Sequence, residues 1–336
     1  MRDEAKPKPL LKDKGGGMKD EVKLKRAARK TAAYLVLGGV GLFMLLPFLW
    51  MLSTSVKPGG DVFASVDNPI KALVPAKTEW RNFSRVYDTT QAMGGGFARW
   101  YLNSLLVAVV VTLGQVTTSA CAAYAFARLK FPGRDKLFLG YLATMMIPGA
   151  VTMIPNFILM RKITEWLTAV APMVDWDTPR AVSMFGRTYE AGRLVGLDSY
   201  FALAVPAMFS AYGTFMLRQY FMSIPRDLEE AATIDGCGLL RIFTTIILPL
   251  SKPALATLTI FTFMGNWQSF YWPLIVLTQD SMKTLPLGLL SFMGLYSTQW
   301  NLLMAGSMMM ILPMILVFVV GQKWFVSGIQ LGALKG

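Results

Sequence analysis

The sequence predicts an all-α integral membrane protein with six transmembrane helices, and three observations carry that prediction. Of 336 residues, 54% are apolar and only 16% are charged, a balance too apolar for a soluble domain of this size. The apolar residues gather in separated runs of about 20 or more, long enough to cross roughly 30 Å of hydrocarbon as helices. Lys and Arg concentrate in alternate connections between those runs, the bias that sets membrane orientation. The formal charge of +13 is therefore a topology and headgroup signal. Nucleic-acid binding is not indicated, because no basic face with interleaved aromatics accompanies it.

Taken in order, residues 1–30 hold eleven Lys/Arg and five acids around a Gly15-Gly16-Gly17 run. They are expected to form a disordered cytoplasmic tail, and Met18 offers an alternative start of translation. The first span, 32–56, lies too deep and runs too long for a cleaved signal peptide. An outer loop, 57–100, follows. Span two covers 101–126 and leads to an inner loop with Arg128, Lys130, Arg134 and Lys136 against Asp135. Span three covers 137–160, where Pro148, Gly149 and Pro155 should break or bend the helix and turn freed carbonyls towards protein or a cavity. Residues 161–199 lie outside and balance five basic against five acidic side chains.

Span four covers 200–221, span five 253–277 and span six 302–321. Ser251 is a candidate cap for span five, and Pro253 suits its first turn. The outer connection 280–299 holds one lysine, Lys283, and one acid, Asp280. Both termini fall inside. The six-span domain thus occupies 31–322, with a short cytoplasmic tail at 323–336.

The segment that organises the chain is 223–249, a polar island between spans four and five. Ser223 reads as an N-cap and Pro225 as a first-turn proline. Asp227, Glu229 and Glu230 sit early, where the positive end of the helix dipole favours them. Leu228, Ala231, Ala232 and Ile234 make an apolar stripe. Gly236 stops the helix by taking positive φ. The reading is helix, glycine elbow, helix, lying flat at the membrane surface.

Glu230-Ala231-Ala232, then Asp235-Gly236, then Phe243 and Ile246-x-Leu248-Pro249, resemble the EAA loop of ABC-importer permeases. The resemblance implies an ABC importer type I permease fold in a bacterial inner membrane. It implies that this loop is a coupling helix seated in a groove of an ATPase subunit. Partners follow from it: a second six-span permease, two ATPase subunits that bind ATP and Mg, and an extracytoplasmic solute-binding protein. The piece around Glu79-Trp80-Arg81-Asn82-Phe83 is similar to a short amphipathic segment of the family. The family connection between spans three and four is shorter, which marks 163–193 as an insertion, expected to decorate the surface, with contact to a binding protein as the alternative. The ending Gly332-Ala333-Leu334-Lys335-Gly336 is similar to the C-terminus of sugar-importer permeases. So is the run FMGNWQSFYWPLIVL, although Gln268 and Ser269 stand where that family more often has Asn and an acid.

Composition also excludes functions. The chain has no histidine, which removes the commonest general base and metal ligand. Cys121 and Cys237 make no disulfide framework. No acidic or basic side chain occupies the middle of any span, against the usual sign of ion coupling. No phosphate-loop motif is present, so the chain is expected to bind no cofactor and to hydrolyse no ATP. The polar residues of span five, Asn266, Trp267, Gln268 and Tyr271, are candidates for a substrate path, together with Asn103. Amides beside aromatic faces suit a sugar; equally, such residues glue membrane helices together. Ser119, Ala120, Ala122, Ala123 and Ala125 in span two, and Ala305, Gly306 and Ser307 in span six, are expected to allow close helix approach. The reading is the permease subunit of an ATP-driven sugar importer. The alternatives are an ABC permease for another polar solute or an ion-coupled carrier.

Overall fold

The computed structural model describes residues 15–63, 73–176, 178–184, 187–294 and 297–333. The first apolar run is part of one long helix, α1 (Gly15–Ser55). The tail expected to be disordered is therefore helical from Gly15 onward, and residues 1–14 lie outside the described residues. The reason is propensity: after the glycines, Lys, Arg, Ala, Glu and Leu dominate and continue into the span without a break. Side chains along α1, such as Leu35 and Phe43, are more than two-thirds exposed, as befits a face turned to hydrocarbon.

Beyond α1 the backbone is pinned by one amide. Asn82, on α2 (Arg81–Ala92), donates to the carbonyls of Ser55 and Lys57 at 3.0 and 2.8 Å and accepts from Asn301 at 3.2 Å. Lys57 is buried here, and burial pushes its ammonium below the ordinary lysine value while Asp61 pulls it back.

The central helix is α3 (Phe97–Arg128). Span three divides into α4 (Arg134–Ala143) and α5 (Gly149–Val170), which meet at 98°. The break falls at Ile147-Pro148, because a residue before proline is driven out of helical ψ; Pro155 is absorbed inside α5. Helix α5 runs to Val170, so the expected insertion begins as helix. It then forms a hairpin, β1 (Arg180–Met184) with β2 (Arg187–Gly192), antiparallel. This is the two-stranded sheet of the described residues in an otherwise helical chain.

Span four is interrupted: α6 (Tyr200–Ala204), a 3-10 turn, then α7 (Ala211–Met222), whose first turn is capped by Ser210 Oγ accepting from Gly213 N at 3.0 Å. The inner connection contains α8 (Asp227–Ile234), α9 (Leu239–Ile242), a π-helical turn over Phe243–Ile247, and α10 (Leu248–Leu250). The π turn precedes Pro249, whose ring and missing N–H disturb the regular ladder. Then α11 (Lys252–Trp267) leaves at 78°. Ser251 occupies its N-cap position but makes no capping bond, contrary to expectation. Residues 268–270 interrupt the span before α12 (Tyr271–Val276). The outer connection folds into short turns and α13 (Leu285–Leu289), and α14 (Trp300–Ala333) closes the chain. Residues 334–336, the end of the sugar-permease-like tail, lie outside the described residues.

Among the described residues, four helices are long and apolar enough to cross a membrane, or up to six if the two bent pairs each count as one span. Their packing follows the small residues. Ser119, Ala120 and Ala123 on α3 are buried, and Gly213 of α7 lies so close to Ser119 that a Cβ there would clash. Close approach of this kind replaces the hydrophobic force that lipid does not provide. One apolar cluster, with Tyr124, Phe221, Phe243 and Ile247, fills the end of the helices that carries α8; a second, with Trp100, Trp267 and Phe292, lies around α13. A third, with Val111, Met160 and Met282, supports the outer connections.

Candidate functional site

The inner ridge is built from the end of α7. Ser223 does not cap α8; its hydroxyl donates to Tyr220 O at 2.7 Å, closing α7 instead. Pro225 stands just before the helix, and Arg226 holds the N-cap position with no side-chain bond. At the other end Gly236 has φ +82°. Gly236 N donates to Thr233 O at 3.0 Å and Cys237 N to Ala232 O at 2.9 Å. This pair of bonds is the Schellman closure, which needs left-handed φ at the glycine.

The expected stripe is split by this geometry. Ala232 is buried in the cluster of Tyr124, Phe221, Phe243 and Ile247, with Cys237, Ile246 and Leu248 packed on the same cluster. Glu230, Ala231, Asp235 and Pro249 are exposed. Leu228 is 44% and Ile234 86% exposed, beside Leu239 and Leu240. The ridge therefore presents the carboxylates of Glu230 and Asp235, the methyl of Ala231 and an apolar border to solvent.

Glu229 turns the other way. Its carboxylate pairs with Arg128 Nε at 2.8 Å, with side chains 16% and 4% exposed. Arg128 also donates to the carbonyls of Phe221 and Ile224 at 2.6 and 2.7 Å. One guanidinium thus ties the end of α3, the end of α7 and α8 into a unit. Sequence reading took Arg128 only as a charge setting orientation. Its partner Glu229 lies about a hundred residues further along the chain, so no local pattern signalled the pair.

The second feature is a cavity of about 510 Å³ between α5, α6 and the α11–α12 break. Three predicted path residues line it: Asn266, Gln268 and Tyr271. Two do not. Trp267 is fully buried, stacks on Phe263 and donates from Nε1 to Met310 O at 3.0 Å. Asn103 is buried, donates to Ser281 O and Lys283 O at 2.9 Å each, and accepts from the Tyr200 hydroxyl at 2.6 Å. Both hold the structure together. The cavity adds Ser104 and Asn156 from other spans and Thr284 from the 280–299 connection, none of which carried a local signal beyond a polar residue among apolar ones.

Outside, Asp198 closes the insertion onto the span-five end. At φ +53° its carboxylate accepts from Thr278 N and Thr278 Oγ1 at 2.6 Å each, and from Gln279 N at 2.9 Å. Its own N–H donates to Val276 O at 2.9 Å.

A family model described as "binding-protein-dependent transport system inner membrane component" matches residues 26–330. The chain belongs to that family. This transport component is similar to the arabinooligosaccharides transport system permease protein AraQ of Halalkalibacterium halodurans, 31% identical over 88% of this chain and 93% of the relative. It is likewise similar to the sn-glycerol-3-phosphate transport system permease protein UgpE of Yersinia pestis, 32% identical over 76% of this chain and 82% of the relative. Among solved structures, a bacterial ABC transporter involved in import of the acidic polysaccharide alginate matches with TM-score 0.68 and 23% identity, covering 90% of this chain and 98% of that one. That likeness shows the fold of the transport component: a helical, multi-pass membrane permease.

Proposed function

We propose that the chain is one permease half of an ATP-driven importer that moves a sugar or oligosaccharide delivered by an external binding protein. A related permease would complete the pore. Two ATPase subunits would bind ATP and Mg and hydrolyse the nucleotide, so this chain carries no hydrolytic chemistry. In this reading each bent helix pair is one span, which makes six, with both termini cytoplasmic in a bacterial inner membrane. The sugar assignment draws on the relatives that transport arabinooligosaccharides and on the importer solved with an alginate pentasaccharide-bound periplasmic protein.

The observation that carries the mechanism is the α8 ridge. Its glycine closure holds Glu230 and Ala231 outward, while Ala232 and Glu229 root it in the end of α3. Such a ridge transmits a push: when ATP closes the ATPase dimer, the groove holding Glu230 to Gly236 moves, and the unit rooted by Arg128 moves with it. Glu230 makes the polar contact across the joint, Gly236 permits the elbow, and the small side chain of Ala231 keeps the ridge thin. Asp235 borders the groove, and Ile246, Leu248 and Pro249 form the second limb.

The test is tagged purification in mild detergent, with identification of co-purifying subunits and an ATPase assay. A second permease and an ATPase should co-purify, and Gly236→Pro should lose the ATPase while staying in the membrane. Normal uptake by Gly236→Pro would refute the coupling role.

A further inference from the structure

The 510 Å³ cavity lies within the size range of small-molecule sites. Its position has a physical cause. Two helix interruptions meet there, Ile147-Pro148 before α5 and residues 268–270 before α12. Irregular backbone at membrane depth persists where it is buried in protein or lines a wet cavity. Gly149, at the start of α5, and Ser269, inside the other break, both border this space.

The side chains around it share one chemistry. Asn156, Asn266, Gln268 and Thr284 are neutral hydrogen-bonding groups. Asn266 commits its Nδ2 to Thr262 O at 2.8 Å, which leaves Oδ1 to accept. Gln268 meets Met314 Sδ at 3.5 Å, a weak partner for an amide. Thr284 is 4% exposed, and its hydroxyl has no hydrogen-bond partner among the described residues. A buried unsatisfied hydroxyl is costly. Phe270, Tyr271 and Trp272 follow one another along the wall, and the Trp272 ring is held by Nε1 donating to Ala202 O at 2.8 Å. Amides with fixed aromatic faces match the edges and faces of a sugar ring. Among the described residues, none that lines the cavity is Asp, Glu, Lys or Arg. An anionic ligand would be stripped of water there with no opposite charge to meet it.

We propose that this chain carries its own saccharide subsite in that cavity, selective for a neutral glycan over a uronate or a phosphate ester. The proposal rests on the importer reading and narrows it to a substrate class. It places this chain apart from the sn-glycerol-3-phosphate and alginate importers it is similar to, whose named substrates are anionic.

The experiment uses the complete transporter in nanodiscs and proteoliposomes. Without the binding protein, saturation-transfer NMR follows a panel of neutral oligosaccharides that includes arabinotriose, beside sn-glycerol-3-phosphate and an alginate trisaccharide. With the binding protein and ATP, uptake of the same panel is measured. Neutral members should give saturation transfer and uptake, and the two anions neither. Asn156→Leu and Asn266→Leu should each weaken saccharide binding about fivefold, one net hydrogen bond's worth, while ATPase association stays unchanged. Thr284→Val should weaken it similarly and Thr284→Ser should restore it. If neutral saccharides are imported but these variants bind them as the parent does, the subsite is overturned and the importer reading survives. If both anions enter as readily as neutral members, the selectivity is overturned. If no saccharide of either class is imported, the importer reading falls and the subsite with it.

Discussion

The Arg128–Glu229 pair offers the sharpest test of how the ridge is rooted. Arg128→Met keeps much of the apolar stem and removes the charge. Glu229 is then left 84% buried with no counter-ion, and the carbonyls of Phe221 and Ile224 lose donors at 2.6 and 2.7 Å. Breaking a buried pair from one side costs about 3–5 kcal/mol. The site lies at the ends of α3 and α7, where water can rehydrate the carbonyls, so the lower bound of about 3 kcal/mol applies. That corresponds to roughly a hundredfold rise in local opening of α8. The assay is hydrogen exchange of the amides of 227–234 in the detergent-solubilised complex, with ATPase association read in parallel. Exchange there should accelerate about a hundredfold while the amides of α3 stay protected. Glu229→Gln, which keeps an acceptor for Arg128, should give a much smaller rise. The exchanged pair Arg128→Glu with Glu229→Arg should recover part of the protection. Unchanged exchange across 227–234 in Arg128→Met, with normal ATPase association, would refute the claim that this pair anchors the ridge.

Other consequences follow from the same structure. Glu230→Gln should leave the thermal stability of the chain within about 0.5 kcal/mol, because its side chain is exposed, yet lower ATPase-coupled uptake; an unaltered uptake rate would remove Glu230 from the joint. Gly236→Ala places a Cβ in open space but holds it at φ +82°, so only backbone strain of about 1–2 kcal/mol is expected; denaturation midpoints should show a far smaller loss of stability than for Gly236→Pro. Asp198→Ala removes three bonds to Thr278 and Gln279 and should expose the 193–199 segment to proteolysis; Asp198→Asn, which tolerates positive φ but keeps fewer acceptors, should fall between. Burial lowers the Lys57 pKa from 10.5, so folding is opposed while Lys57 is charged. That penalty should fade as pH rises from its depressed value towards 10.5, and a Lys57→Met variant should lack this alkaline gain in melting temperature relative to the parent.

The two readings of span five separate what a linear pattern carries from what it does not. Asn266, Trp267, Gln268 and Tyr271 look alike in the sequence: polar or aromatic residues in one apolar run. At 100° per residue their directions diverge, and only the packed neighbours show that Trp267 ends in the core against Phe263 and Met310 while the others reach a cavity. Asn103 fails in the same way, since its three partners, Ser281, Lys283 and Tyr200, lie about a hundred residues or more away. The acids of the ridge divide likewise. Glu229 and Glu230 are adjacent, and which one faces Arg128 depends on how α8 is rotated against α3.

Hydrophobicity, charge bias and special residues are local properties, so the sequence by itself determined the helical membrane class, the placement of the apolar runs, the proline break before α5 and the glycine stop at Gly236. Those features follow from water, lipid and φ/ψ sterics acting on a few neighbouring residues. The tertiary structure alone decided the 98° and 78° bends, the hairpin in the insertion, the anchoring of Glu229 and the composition of the cavity. Each of these depends on the cooperative extension of a neighbouring element or on side chains brought together across spans, and neither is written in any one stretch of chain.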